Sequence, residues 1–369
     1  MLRRQLVRAA GVVAAWMLLM AGAVGAAPGQ GAIASAHPLA SAAGAEVLER
    51  GGNAFDAAIA VAAALGVVEP YSSGLGGGGF FLLHRAADGR QVMVDARETA
   101  PAAASAGMFL GADGEPVPGA SRDGPRAAGI PGTPAGLAWL AARYGRLPLA
   151  QTLDPAIRLA RGGFPVDERF ARVSKLAASK LNNDDHARRL FLHDGNALAP
   201  GAVLRQLELA ATLEALARAG RAGFYEGAVA AELVRSVRAA GGIWSEEDLA
   251  RYRVKEREPV QIRYRGATIV TAGLPSAGGL TLAQALNALA RFDLPALSET
   301  DRAHVVVEVL RRAYQDRARH LGDPDFVDGP WARLADAAYA ARRAADIRLD
   351  RATPSAELAV GAGSAHTPP

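Results

Sequence analysis

The sequence predicts a layered α/β domain with an antiparallel sheet, and three features carry that prediction. Two β-rich segments, 80–97 and 260–271, each fold back around a turn. The stretches between and after them repeat apolar residues every three or four positions, the period of a helix packed on one side. Strands joined directly to their neighbours pair antiparallel, whereas a parallel doubly wound sheet needs a crossover between its strands. Half of the 369 residues are hydrophobic and 21% are charged, a composition that folds and fills a sizeable core.

The chain opens with MLRRQLVRAAGVVAAWMLLMAGAVGAAPGQ. Arg3, Arg4 and Arg8 precede an apolar run over 9–20, and the small residues Ala23, Gly25 and Ala26 follow. That is the pattern of a cleavable secretory signal, expected over 1–26. The run falls short of the ~20 residues that cross a bilayer, so the reading is export with cleavage and no stable span in the mature chain. A periplasmic or secreted location follows. The formal charge of +4 drops to +1 without these three arginines, and no basic run remains. The charge therefore gives no argument for a nucleic-acid partner. Cysteine is absent, which excludes disulfides, thiol catalysis and cysteine-ligated metals.

Taken in order, Leu39, Ala42, Ala43, Val47 and Leu48 lie at helical spacing, and Gly51 and Gly52 end that helix. Asn53 can cap the next helix, with Asp56 near its positive end. That helix, over 54–65, is apolar on nearly every face and is expected to be buried, ending at Glu69 and Pro70. The segment SSGLGGGGFF over 72–81 holds four consecutive glycines, a backbone open to conformations and close approaches that other residues forbid. A hairpin follows, turning at Asp88 and Gly89 and ending at Arg97 and Glu98. Helical patterns cover 134–144, 149–162, 203–219 and 227–240. Ser245 and Asp248 form a capping pair for a short helix. The second hairpin turns at Arg265 and Gly266. Gly278 and Gly279 lead into a helix ending at Arg291, and a further helix spans 300–320. The last residues, AELAVGAGSAHTPP, have no core-building pattern and read as a loop or frayed end.

The glycine run is not a phosphate loop, because no Gly-Lys-Ser/Thr follows and a strand comes next. Arg97 at a strand end could be a planar fork offered to a carboxylate, but from the residues alone a surface ion pair with Glu98 is the slightly favoured reading. The seven histidines form no metal-binding spacing, and LGDPDF over 321–326 reads as a helix-terminating turn in preference to a cation loop. No metal or other cofactor is expected, and no Gly-x-Ser-x-Gly elbow occurs.

Several segments together resemble γ-glutamyltransferase (glutathione hydrolase) precursors. They include ASAHPLASAAGAEVLERGGNAFDAAIAVAAALGVVEPYSSGLGGGGFFLL (34–83), DARETAP (95–101) and IPGTPAGLAWLAARYGRLPLAQTLDPAIRLARGGFPV (130–166). FYEGAVAAELV (224–234), GGIWSEEDLARYRVKEREPV (241–260), YRGATIV (264–270), LPSAGGLTLAQALNAL (274–289) and YQDRARHLGDPDFV (314–327) follow in the family's order. The resemblance implies the αββα sandwich of N-terminal-nucleophile hydrolases, incomplete here because the small-subunit half is absent. It implies a large-subunit domain over 27–355 and a flexible tail over 356–369. In that family the precursor cuts itself, and the new N-terminal threonine of the small subunit is nucleophile and base source together. It takes a γ-glutamyl group from glutathione or a related amide and passes it to water or an amino acid.

No catalytic residue is expected in this chain, since Thr367 is followed only by two prolines. The partners implied are the small subunit and a γ-glutamyl substrate such as glutathione. Arg97, in DARETAP, matches the family arginine that binds the α-carboxylate of the γ-glutamyl group, a charged contact worth ~1.5–3 kcal/mol. Glu98 is expected to support it, and the glycine run to pack backbone near the active site. Two alternatives remain: an amidohydrolase of the same fold resembling cephalosporin acylase, and an inactive truncated fragment.

Overall fold

A computed structural model of the protein describes residues 31–360; the expected signal over 1–26 and the end of the tail, 361–369, lie outside the described residues. The chain divides into two interleaved units, Met1–Tyr71 with Arg143–Ala210, and Ser72–Ala142 with Ala211–Pro369.

The first unit is helical. Helix α1, Pro38–Glu49, starts where His37 Nδ1 accepts the Leu39 N–H at 3.1 Å. Helix α2, Ala54–Val68, begins with a capping box: Asn53 accepts from Phe55 and Asp56, and Asp56 accepts from the Asn53 N–H. Asp56 is fully buried because it also takes the Arg146 N–H at 2.9 Å, which ties down the approach to α4. Small residues let these helices meet closely. A Cβ on Gly44 would lie 2.6 Å from Val61 Cγ2. Helix α3, Thr133–Tyr144, runs into this unit, and α4, Leu149–Gly162, lays Leu153, Ala156 and Ala160 in its core. Helices α5, Glu168–Leu181, and α6, Asp185–Phe191, follow.

The helix expected over 203–219 begins only at Leu207, as α7, Leu207–Ala219. Val203 and Leu204 instead pair antiparallel with Pro165 and Phe164, a two-residue ladder that buries Leu204 and Phe164.

In the second unit, β1, Gly79–Arg85, and β2, Arg90–Ala96, form the first expected hairpin, with Gly89 at φ +68° in its turn. Short helix α8, Ala222–Tyr225, precedes α9, Gly227–Ala239, and α10, Glu246–Arg251, carries the Ser245–Asp248 capping box. A strand absent from the sequence reading, β3, Lys255–Arg257, joins the far side of β2. Strands β4, Val260–Tyr264, and β5, Ala267–Thr271, make the second hairpin. Every strand pair among the described residues is antiparallel.

Gly278 and Gly279 do not precede a helix but sit inside one, α11, Ala277–Leu289. A Cβ on Gly279 would stand 1.8 Å from the Ala272 carbonyl oxygen, so glycine lets the helix start against the end of β5. Helix α12, Glu299–His320, contributes Val305 and Val309 to a core shared with Ala285, Ala288, Ala340 and Ala344. Its buried Arg312 reaches Glu308, Asp346 and Thr353. Helices α13, Trp331–Leu334, and α14, Ala337–Arg343, follow. The segment expected to fray opens as α15, Ser355–Val360, held where Gln315 donates to the Leu358 carbonyl and Arg311 to Ser355 Oγ.

Candidate substrate-binding site

Strand β2 ends at Ala96, and the two residues singled out from the sequence follow at once. Asp95, 7% exposed, makes that end rigid. One carboxylate oxygen accepts the Arg97 N–H at 3.0 Å, turning the chain out of the strand, and the other accepts Arg257 Nε at 2.8 Å. From the opposite side the Tyr252 hydroxyl donates to the Arg97 carbonyl oxygen at 2.8 Å. The backbone of Arg97 is therefore held through both its polar groups.

Tyr252 is itself fixed. Its ring stacks on that of Tyr225 with centroids 5.4 Å apart, and the Tyr225 hydroxyl donates to the Pro131 carbonyl at 2.7 Å. Burial, and then the charges of Asp95 and Glu98, push the Tyr252 phenol well above its ordinary range. It stays a neutral donor at any working pH.

The glycine run packs against this strand end. The Gly77 carbonyl accepts the N–H groups of Gly132 and Thr133 at 2.9 and 3.0 Å. A Cβ on Gly78 would come within 2.5 Å of the Ala96 carbonyl oxygen and 2.7 Å of the Glu98 nitrogen. Only a chain without a side chain passes there.

The Arg97 side chain is 58% exposed and lines a cleft of about 660 Å³ together with Glu98, Tyr252, Lys255, Arg317 and Asp325. Its Nε lies 3.2 Å from Glu98 Oε2, and its guanidinium carbon stands 5.9 Å from the centre of the Phe80 ring. The structure thus brings Arg97 and Glu98 together at the mouth of a cleft. A guanidinium steadied on its Nε edge by a carboxylate leaves its outer nitrogens for a planar anion.

Other groups at the site were not assigned to it from the sequence, where Asp325 was legible only as part of a turn. Asp325, in the turn expected after α12, accepts Lys255 Nζ at 2.7 Å and Arg257 at 2.6 Å. Those two cations hold its carboxyl down at about 2, Arg257 having the larger effect. The turn itself closes through Asp323, whose side chain accepts the Asp325 N–H at 3.0 Å. Among the described residues, no group of three or more His, Asp or Glu could hold a metal ion.

The family model for gamma-glutamyltranspeptidase matches residues 40–368. The chain is 39% identical over 335 residues to the glutathione hydrolase proenzyme of Escherichia coli (strain K12), covering 90% of this chain and 58% of that protein. It is 40% identical over 333 residues to the acylase ACY 1 proenzyme of Pseudomonas sp. (strain V22), covering 88% of this chain and 59% of that protein. The crystal structure of Helicobacter pylori gamma-glutamyltranspeptidase superposes with a TM-score of 0.87 at 41% identity, covering 89% of this chain and 95% of that chain. The chain thus spans less than two-thirds of the length of the curated relatives it matches.

Proposed function

The chain belongs to the γ-glutamyltranspeptidase family and has its layered N-terminal-nucleophile hydrolase fold, and from that premise we propose that it is the large-subunit part of a γ-glutamyl-transferring enzyme. The donor is glutathione or a related γ-glutamyl amide, and the acceptor is water or an amino acid. The threonine nucleophile belongs to a downstream partner segment, a reading supported by the 58% coverage of a relative named as a proenzyme. In this division of labour Arg97 binds the donor α-carboxylate and Glu98 steadies the arginine.

One observation carries the proposal: a half-exposed guanidinium, on a backbone locked by Asp95 and Tyr252, lines the cleft. Fixing the backbone lowers the ordering cost of binding, so more of the charge attraction appears as affinity. To test this, the chain is joined to the downstream part of the E. coli proenzyme. Arg97→Ala is expected to raise KM for a γ-glutamyl donor by about tenfold or more, the loss of one charged contact. Arg97→Lys should recover only part, since an ammonium keeps the charge and loses the two-pronged geometry. A donor lacking the α-carboxylate should respond little to either change. A near-normal KM in the Ala variant would return Arg97 to a surface ion pair.

The likeness to acylase ACY 1 favours a second reading, cleavage of another side-chain amide on the same fold. Under it, donors without an α-carboxylate would be the better substrates of the same fusion.

The N-terminal segment 1–26 supports export to the periplasm with cleavage. No helix among the described residues is long and apolar enough to cross a membrane. N-terminal sequencing of the exported protein checks this; a start at Met1 on the mature chain would sink it.

A further inference from the structure

Strand β3 is three residues long and wholly charged, Lys255, Glu256 and Arg257, so apolar burial does not explain its place in the sheet. Its register explains more. Lys255 pairs with Asp95 and Arg257 with Met93, which sets Lys255, Arg257 and Asp95 on one face, while Glu256 meets Arg90 on the other at 2.8 Å. On the first face Arg257 divides its guanidinium. Nε goes to Asp95 at 2.8 Å, and the two terminal nitrogens go to the two oxygens of Asp325 at 3.3 and 2.6 Å.

The Asp95 carboxylate has little water to satisfy it. A carboxylate so placed keeps its charge only where cations and N–H donors match it. Arg257 supplies the cation at one oxygen, and the other oxygen accepts the Arg97 N–H. Asp325 in turn fixes Arg257, whose side chain is only 15% exposed, and Lys255 at 2.7 Å balances the second carboxylate. The chain of contacts runs from the turn after α12, through β3, to the amide of Arg97.

We propose that Asp95, Arg257 and Asp325 are positioning residues, an ionic relay that fixes the backbone turn presenting Arg97 to the donor carboxylate. The relay rests on the reading of Arg97 as the carboxylate-binding residue. Lysine at 257 cannot replace arginine fully, because a point charge cannot serve Asp95 and both oxygens of Asp325 together.

Hydrogen exchange on the chain itself is the first test. Arg257→Gln is expected to speed exchange at the Arg97 amide by at least about tenfold, with helices α1 and α2 unchanged and Arg257→Lys intermediate. An unchanged Arg97 amide, or a uniform rise across the chain, would overturn the relay. If the Gln variant does not fold, Arg257→Lys alone decides, since it keeps the charge that Asp95 needs.

Kinetics on the fusion to the E. coli downstream part is the second test. Arg257→Gln should raise KM for the γ-glutamyl donor about tenfold and change kcat by less than about twofold, without effect on a donor lacking the α-carboxylate. In an Arg97→Ala background the same change should add nothing to KM, because it acts through Arg97. Full additivity there would overturn the relay. If Arg97→Ala leaves KM unaltered, the reading of Arg97 fails instead, and the exchange result separates the two failures.

Discussion

A Cβ built on Gly132 would stand 2.0 Å from the Ala96 carbonyl oxygen and 2.3 Å from the Tyr252 hydroxyl. Neither neighbour can retreat, because Ala96 belongs to a paired strand and Tyr252 is clamped by the Arg97 carbonyl and the Tyr225 ring. Gly132→Ala is therefore expected to cost at least about 2 kcal/mol, the upper part of the range for overpacking a closed site. Gly51 offers the contrast: its φ is +88°, but nothing lies within 4 Å of a Cβ, so Gly51→Ala should cost only about 1 kcal/mol of backbone strain. Urea midpoints of the two variants test the distinction, and an equal loss would mean the crowding at Gly132 relaxes. At this scale the sequence singled out Arg97 and Glu98 through a contiguous motif, and the two lie side by side on the cleft. It was mute for the groups that hold them, since Arg257 meets Asp95 across 162 positions and Tyr252 meets Arg97 across 155. No local pattern encodes a contact of that span.

Elements were legible where a single segment carries its own period and its own caps. The capping boxes at Asn53–Asp56 and Ser245–Asp248, both hairpins and the long helix α12 follow from residues within a few positions of one another. Strand β3 was not legible, because three charged residues show neither alternation nor apolar content, and a partner strand alone makes them β. The two-residue ladder at Val203 and Leu204 escaped for the same reason. Helix α12 held a further surprise, a buried charged stripe of Glu308, Arg312 and Asp316 at four-residue spacing. Burial alone would raise the Glu308 carboxyl, but hydrogen bonds from Arg312, Thr353 and Arg311 outweigh it and bring the group down from 4.5 to about 2. A folded-state value below the unfolded one means that the folded protein releases this proton more readily. The stability from Glu308 is then complete above the unfolded value and is lost as pH falls toward the folded one, between about 4.5 and 2. Glu308→Gln should be less stable at neutral pH by about 3 kcal/mol, because Arg312 is left buried without its main carboxylate. It should also lose part of the acid slope in that window. Urea unfolding from pH 6 to 2 measures both, and parallel curves for the variant and the parent would remove Glu308 from the account.

The whole molecule is built by a chain that leaves one unit at Tyr71, completes part of a second, returns at Arg143 and leaves again after Ala210. The first crossing lies between Pro70 and the glycine run, but nothing in composition marks the other two, since helices α3 and α7 run through them without a glycine or proline at the junction. Under the proposed function the chain contributes the holding of a substrate, through a guanidinium beside Glu98, the cleft it lines and the contacts of Asp95, Arg257 and Asp325 behind it. A γ-glutamyl transfer also needs a hydroxyl beside a base to attack the amide carbon, and donors for the oxyanion that forms. Thr99, which also lines the cleft, has its N–H and carbonyl committed to Ile130, and that pairing fixes it in a bridge at the base of the following loop. With the threonine nucleophile proposed to lie in the part of the relatives that this chain does not cover, the 369-residue chain is expected to bind without turning over. Purified alone, it should neither cut itself nor hydrolyse γ-glutamyl-p-nitroanilide, whereas the fusion to a downstream part should do both. The decisive measurement is a side-by-side assay of the chain and the fusion, with mass spectrometry for cleavage and release of p-nitroaniline for turnover. Turnover by the isolated chain that vanishes in a Thr99→Ala variant would move the nucleophile into this half and overturn the proposed division of labour.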